Sequence, residues 1–282
     1  MRPILLVLIL LLVPAMSLAA DTVKSLDDLD IAYDVLGEGD TAVVLIHCWS
    51  CDRTYWREQL DALAAKYLVV NIDLAGHGES SLGRNNYLMA DFGSDVAAVV
   101  KKLDLKQVIL VGHSMGGTVA VEAAAQLPGR VIGLIGIDTL QEPGFNYPAQ
   151  AVEGFLAPMR ADFKTRTGQF VASMFPEGAD QALIDQVAGD MSDAPPEVAI
   201  SAMYYLLTHD LKATLETLDV RIACLDSDKA PIDREGWAFY EPGYATMTME
   251  GVGHFLLLEK PAEFNSNFLA MIKSLEKYAG VR

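Results

Sequence analysis

Apolar runs alternate along this chain with segments whose apolar residues recur at helical spacing. The runs are continuous, which is typical of strands covered on both faces of a parallel sheet. They are Ala42–Ile46, Leu68–Ile72, Val108–Val111 and Val131–Ile137. Helical spacing appears in Thr54–Lys66, in Asp91–Leu103 and in the segment that ends at Leu127. Strands that alternate with helices predict a parallel sheet with helices on both of its faces.

The alternation stops after Asp138. From about residue 142 to about residue 215 the chain shows no strand-like run, and prolines separate four helical stretches. These stretches span residues 149–157, 160–174, 179–191 and 196–208. Strand-like residues return at Val220–Leu225 and Ala245–Met249, and a closing helix begins at Pro261. The pattern predicts a core of residues 20–140 and 217–282, with a helical lid of residues 141–216 inserted over the sheet.

The first 19 residues have the pattern of a secretory signal peptide. Arg2 precedes an unbroken apolar run of ten residues, Ile4–Val13, and Ser17-Leu18-Ala19 supplies the small residues of a cleavage site. We expect cleavage after Ala19 or Ala20 and export to the periplasm or the medium. An uncleaved membrane anchor is the alternative, although the run is short for a bilayer span.

The net charge of the chain bears on the classes of molecule that it binds. The 282 residues include 21 Lys and Arg against 38 Asp and Glu, a net charge of −17. This excess of acidic residues argues against nucleic acid and anionic membrane surfaces as partners. We therefore expect a small-molecule substrate and no stable membrane insertion, while the sequence leaves the oligomeric state open.

One turn carries the candidate chemistry. The run Val108–Val111 leads into Gly112-His113-Ser114-Met115-Gly116-Gly117, and a helix-forming segment follows. A serine between a strand and a helix, with glycine two positions before and after it, is the nucleophile-elbow pattern. The turn brings the two flanking positions almost into contact, so both need to be small. Ser114 is the predicted nucleophile.

A serine nucleophile needs a base. After such an elbow the acid and then the histidine follow in chain order, which leaves His209 and His254 among the five histidines. His254 comes directly after a predicted strand, and loops at the carboxyl ends of parallel strands meet at one edge of the sheet. We therefore predict that His254 is the base and that His209 is a surface or lid residue. The other three, His47, His77 and His113, are interpreted as structural.

The acid must lie between Ser114 and His254, just beyond a strand. Asp138 follows one predicted strand, and Asp226, Asp228 and Asp233 follow the next. Asp228 lies in the first loop beyond its strand and is the predicted acid, with Asp226 and Asp138 as alternatives. Asp138 also suits a cap or hinge for the insertion.

Two backbone N–H groups are predicted to stabilise the oxyanion. One belongs to Met115, directly after the nucleophile, and the other to Trp49, in the loop after Ala42–Ile46. The same loop contains Cys48 and Cys51. In an exported protein they can form a structural disulfide, or the spacing can indicate a redox pair, although this loop context does not favour redox chemistry. The remaining cysteine, Cys224, is expected to pack as a small apolar residue.

These motifs resemble the α/β-hydrolase fold superfamily, in its lid-bearing serine hydrolase form. The resemblance covers nearly the whole chain after the leader. It rests on His47-x-Trp49, Asp73-x-x-Gly76-His77-Gly78-x-Ser80, the Ser114 elbow and Gly253-His254-Phe255. It implies a mostly parallel, eight-stranded sheet and the roles already predicted for Ser114, His254, Asp228, Trp49 and Met115, with no cofactor and no metal. The chain departs from the family at Cys48, where the oxyanion loop usually has glycine.

The predicted function is hydrolysis of a carboxylic ester or related acyl bond through a Ser-His-Asp triad. Lactonases, C–C bond hydrolases and cofactor-free perhydrolases of the same superfamily also use serine, and the sequence does not separate them. Aromatic and methionine residues of the lid are expected to line a pocket for an apolar acyl or alcohol group, although most of them pack the lid onto the core. A non-catalytic binding protein on the same fold is the alternative from another class.

Overall fold

The structure, a computed structural model, describes residues 20–281, and the predicted signal peptide lies outside them. Within this range eight strands form one sheet. They are β1 (Asp21–Lys24), β2 (Asp30–Leu36), β3 (Ala42–Ile46), β4 (Leu68–Ile72), β5 (Val108–His113), β6 (Val131–Ile137), β7 (Ile222–Ser227) and β8 (Ala245–Met249). Their spatial order is β1-β2-β4-β3-β5-β6-β7-β8. The first two pairs, β1 with β2 and β2 with β4, are antiparallel, and all other neighbours are parallel.

The core helices are α1 (Arg57–Ala64), α2 (Met89–Lys102), α3 (Met115–Ala125), α9 (Arg234–Tyr240), α10 (Leu256–Glu259) and α11 (Pro261–Ala279). Between β6 and β7 lie α4 (Ala149–Ala161), α5 (Phe163–Ala172), α6 (Gln181–Ser192), α7 (Pro196–Thr208) and α8 (Lys212–Leu215), here called the helical segment. Among residues 20–281, no helix combines the length and the apolarity needed to cross a bilayer.

The central strands are buried because helices cover both faces of the sheet. Every residue of β3 and every residue of β5 is buried. Such strands bury apolar side chains in both directions, which explains their continuous apolar runs. The predicted α/β class with a mostly parallel sheet is confirmed. Strand order places the carboxyl ends of β3, β5, β6 and β7 side by side along one edge.

Candidate active site

Ser114 occupies the turn between β5 and α3. Its backbone has φ 54° and ψ −118°, which an L-residue adopts only at a cost of roughly 1–3 kcal/mol. The amide of Ser114 donates to Ile137 O at 3.0 Å, so the turn is held by the end of β6. The Thr139 hydroxyl donates to Ser114 O at 2.8 Å. The strained conformation is therefore held in place by the neighbouring strand and the loop after it.

The glycines around Ser114 are required by close backbone approach. A Cβ on Gly112 would lie 2.0 Å from Gly116 O, and a Cβ on Gly116 would lie 2.5 Å from Ile46 O. Both distances are far shorter than van der Waals contact. The neighbouring atoms belong to the backbone, which cannot move aside without distorting the turn. The predicted close approach of the two flanking positions is therefore confirmed. Contact with Ile46 also places the end of β3 directly against the turn.

His254 lies in the loop after β8, and its side-chain partner is Asp138. The Nδ1–H of His254 donates to Asp138 Oδ2 at 2.6 Å. The other oxygen of Asp138 accepts the Ser227 N–H at 2.8 Å. Burial alone would raise the pKa of Asp138, but the hydrogen bond and charge of His254, with the Ser227 N–H, outweigh burial and hold that pKa below its usual value. Asp138 is thus an ionised carboxylate that orients one imidazole.

The prediction that Asp228 contacts His254 is wrong. The Asp228 side chain is 38% exposed and pairs with Lys229 at 3.2 Å. The carboxylate at His254 instead comes from the end of β6, one strand nearer to β5 than the loop that carries Asp228. Asp138 has φ 44°, a left-handed conformation that directs the chain away from the strand. Nothing in residue spacing distinguishes the ends of β6 and β7, because both lie on the same edge of the sheet.

A cavity of about 400 Å³ lies over this edge. From the core it is lined by Ser114, Met115, Asp138 and His254, and from the helical segment and the loop after α7 by Leu206, Leu207, His209 and Leu211. A second cleft, of about 390 Å³, is lined by the first residues of β7 and β8. Ligands of open α/β sheets bind at the carboxyl ends of strands, so the cavity at Ser114 is the candidate site.

Comparison with known proteins agrees with this geometry. The alpha/beta hydrolase family matches residues 43–267, which include Ser114, Asp138 and His254. The chain belongs to the alpha/beta hydrolase family.

This alpha/beta hydrolase is 28% identical over 259 residues to the dihydrolipoyllysine-residue acetyltransferase component of an acetoin cleaving system from Pseudomonas putida, over 86% of this chain and 66% of that protein. It spans 31% of the length of the corresponding component from Cupriavidus necator. It is 24% identical over 255 residues to 3-oxoadipate enol-lactonase 2 from Acinetobacter baylyi, over 87% of this chain and 94% of the relative. An esterase from Exiguobacterium antarcticum superposes with a TM-score of 0.80 at 21% identity, over 90% of this chain and 99% of the esterase.

A second carboxyl group, Asp226, lies beside the Asp138–His254 pair. Its side chain is buried at the end of β7, where one oxygen accepts Gln141 Nε2 at 3.1 Å. The other oxygen has no hydrogen-bond partner within residues 20–281. Burial and the negative charge of Asp138 raise the pKa of Asp226 to about 7. The two neighbouring carboxyls therefore differ in protonation near neutral pH, with the negative charge on the one that faces His254.

The variant Asp226→Asn is expected to gain stability relative to wild type as the pH rises. A folded pKa raised above the unfolded value gives stability that is present at low pH and lost as pH rises through about 7. Between pH 5 and pH 8 the free energy of unfolding of the wild type should fall by about 3 kcal/mol relative to the variant. Urea denaturation of both proteins at the two pH values measures this difference. A difference that stays constant with pH would show that Asp226 is ionised throughout.

The remaining core histidines are held by backbone hydrogen bonds. The Nε2–H of His113 donates to His254 O at 2.8 Å, and burial with the adjacent His254 lowers the pKa of His113 to about 3. His47 accepts the Leu74 N–H at 3.0 Å, and His77 donates from Nδ1 to Ala75 O at 3.0 Å. Their structural interpretation agrees with these contacts. His113 has a further role that the spacing did not indicate, since it anchors the backbone of His254.

The loop after β3 carries the predicted oxyanion donor Trp49. Cys48 and Cys51 form a disulfide in this loop, and Cys224 is free and buried. The Trp49 indole donates to Ala199 O in α7 at 2.6 Å, so the loop is tied to the helical segment. Between residues 20 and 281, the N–H groups of Trp49 and Met115 make no turn, loop or cap hydrogen bond to a backbone carbonyl. Met115 lines the cavity, and the role of both amides stays a prediction.

Proposed function

We propose that this protein is a serine hydrolase that cleaves a carboxylic ester or a related acyl bond through Ser114, His254 and Asp138. One observation carries the proposal: a serine on a strained turn lines the same cavity as an imidazole that donates to a largely buried carboxylate. In this arrangement the three side chains have the roles of nucleophile, base and orienting acid.

The reaction begins when Ser114 Oγ attacks the substrate carbonyl and His254 Nε2 takes the hydroxyl proton. The N–H groups of Met115 and Trp49 are proposed to stabilise the oxyanion of the tetrahedral intermediate. The C–O bond to the leaving group then breaks, and His254 gives its proton to the departing alcohol. Water, deprotonated by His254, attacks the acyl-enzyme, and the acid product leaves with Ser114 restored. Asp138 stays ionised and stabilises the imidazolium at each step.

Most of the cavity wall favours an apolar acyl or alcohol group. Leu140, Leu206, Leu207 and Leu211 lie around Ser114, and Phe145 adds an aromatic ring. The helical segment supplies part of this wall, which supports its proposed role as a lid. One relative is named as an enol-lactonase, and the similar solved structures include an esterase and an enol-lactonase. These names support linear or cyclic esters as the substrate class.

Export of the mature hydrolase is part of the proposal, with residues 1–19 as its signal peptide. Disulfides persist in oxidising compartments and are rare in the cytosol. The Cys48–Cys51 bridge supports an oxidising location, because the two cysteines are buried and paired.

A panel of p-nitrophenyl esters of rising acyl length, with lactones and p-nitroanilide amides alongside, tests the reaction class. We expect hydrolysis of esters or lactones, with amides slower, because an amine is a poorer leaving group than an alcohol. Steady-state rates on the mature protein measure this. Binding of these compounds without turnover would instead favour the non-catalytic alternative.

A further inference from the structure

A second histidine–carboxylate pair lies along the same cavity. Glu122 is buried on α3, and its Oε1 accepts His209 Nε2–H at 2.9 Å and the Thr214 hydroxyl at 2.8 Å. Burial alone would raise the pKa of Glu122, but these hydrogen bonds and the nearby imidazole outweigh burial and hold that pKa below its usual value. The carboxylate is therefore ionised and accepts hydrogen bonds only.

The ionised carboxylate determines the tautomer of His209. Since Glu122 can only accept, a His209 ring with a single N–H carries it on Nε2, and Nδ1 then has a lone pair. Nδ1 has no hydrogen-bond partner within the described residues and is not among their fully buried unpartnered atoms. The His209 side chain is 23% exposed and lines the cavity. With Nε2 committed to Glu122, Nδ1 is the ring atom left to accept a hydrogen bond.

Helix α3 begins directly after the nucleophile and carries the carboxylate that holds His209. Ser114 lies in the turn directly before α3, and Thr118 and Glu122, four residues apart within α3, lie on one face of the helix. Glu122 follows Met115, the first residue of the helix, by seven residues, which is roughly 10 Å along the helix axis. Thr118 and His209 both line the cavity. The acceptor thus belongs to the same cavity as Ser114, about two helical turns away, and leucines form much of the wall that they share.

Resting on the proposed hydrolase function, we infer that His209, oriented by Glu122, is a specificity subsite for a substrate whose chain carries a hydrogen-bond donor. The donor is a hydroxyl or an amide N–H, at a distance from the scissile carbonyl. A substrate carboxylate is disfavoured there, because the ionised Glu122 accepts from the ring and Glu142 also lines the cavity. The remote contact adds binding free energy without entering the chemistry at Ser114.

The test compares methyl esters of ω-hydroxy acids with unsubstituted esters of equal chain length, for acyl chains of six to ten carbons. The measured quantity, for each pair, is kcat/KM of the hydroxy ester divided by kcat/KM of the unsubstituted ester. We expect this ratio to fall by about three- to tenfold in His209→Phe at the chain length that reaches the ring, as loss of one hydrogen bond predicts. The change should lie mainly in KM, and His209→Gln, which keeps an acceptor, should recover part of the ratio. Esters with a terminal acetamide distinguish an N–H donor from a hydroxyl.

The control is Leu206→Met, a change of similar volume in the same wall, which should alter both members of a pair by the same factor. Equal losses of kcat/KM on both esters in His209→Phe would overturn the subsite. His209 would then only connect α3 to the helical segment through its hydrogen bond to Glu122. That outcome would leave the proposed function intact. Failure of the wild type to hydrolyse any ester of the series would overturn the hydrolase proposal itself, and the subsite with it.

Discussion

Replacing Ser114 with alanine is expected to abolish ester hydrolysis while leaving the protein folded. Loss of the nucleophile from such a triad lowers kcat by on the order of 10⁴-fold or more, because the remaining groups cannot form the acyl-enzyme. Alanine has a side chain similar in size to that of serine and meets the same backbone strain at φ 54°. The thermal midpoint should therefore stay close to that of the wild type.

Steady-state hydrolysis of p-nitrophenyl butyrate by the two proteins measures this effect. Ser266→Ala is the matched control, because Ser266 is exposed on α11, away from the cavity at Ser114. Its kcat/KM should equal that of the wild type. Residual activity of Ser114→Ala within tenfold of the wild type would exclude Ser114 as nucleophile.

Asp138→Asn is expected to lower kcat by about 10³- to 10⁴-fold, whereas Asp228→Asn should change it by less than about twofold. Asparagine keeps the shape of Asp138 but is neutral, so it cannot stabilise the imidazolium. Its amide can also donate to Nδ1, which places the His254 proton on the wrong nitrogen. Asp228 has no such role, because its exposed carboxylate pairs with Lys229.

The comparison uses kcat for both variants on one ester, with urea denaturation to confirm that each is folded. Since Asp138 also accepts the Ser227 N–H, some loss of stability is expected in Asp138→Asn. The reverse ranking of the two variants would move the acid to the loop after β7 and would contradict the geometry at His254.

Much of the sheet could be predicted because its strands are buried on both faces. β3, β4 and β6 have the bounds that their apolar runs predicted. The edge strand β1 carried no such signal, since three of its four residues are polar and exposed. The short helix α9 was also missed, and its seven residues are too few for a clear helical period.

The acid could not be assigned from the sequence for a different reason. Chain order restricts it to aspartates that follow a strand, and both Asp138 and Asp228 satisfy that rule. The choice depends on how the loop after β8 returns across β7 to bring His254 to the end of β6. Tertiary contacts determine that path: His254 N donates to Met174 O in the helical segment, and His254 O accepts from His113.

The role of Cys48 also could not be assigned from the sequence. Related oxyanion loops usually have glycine where this chain has Cys48. In the structure Cys48 is paired with Cys51, so the substitution comes with a covalent link within the loop. The spacing permitted this pairing, but only the folded loop brings the two Cα atoms to 5.4 Å.

The most direct test of the central claim is covalent labelling of the mature protein with a fluorophosphonate, followed by mass spectrometry of its peptides. Such probes phosphonylate a serine only when a base activates it. We expect one adduct on Ser114, its loss in Ser114→Ala, and strongly slowed formation in Asp138→Asn. An adduct on another residue, or equal labelling of wild type and Ser114→Ala, would contradict the claim.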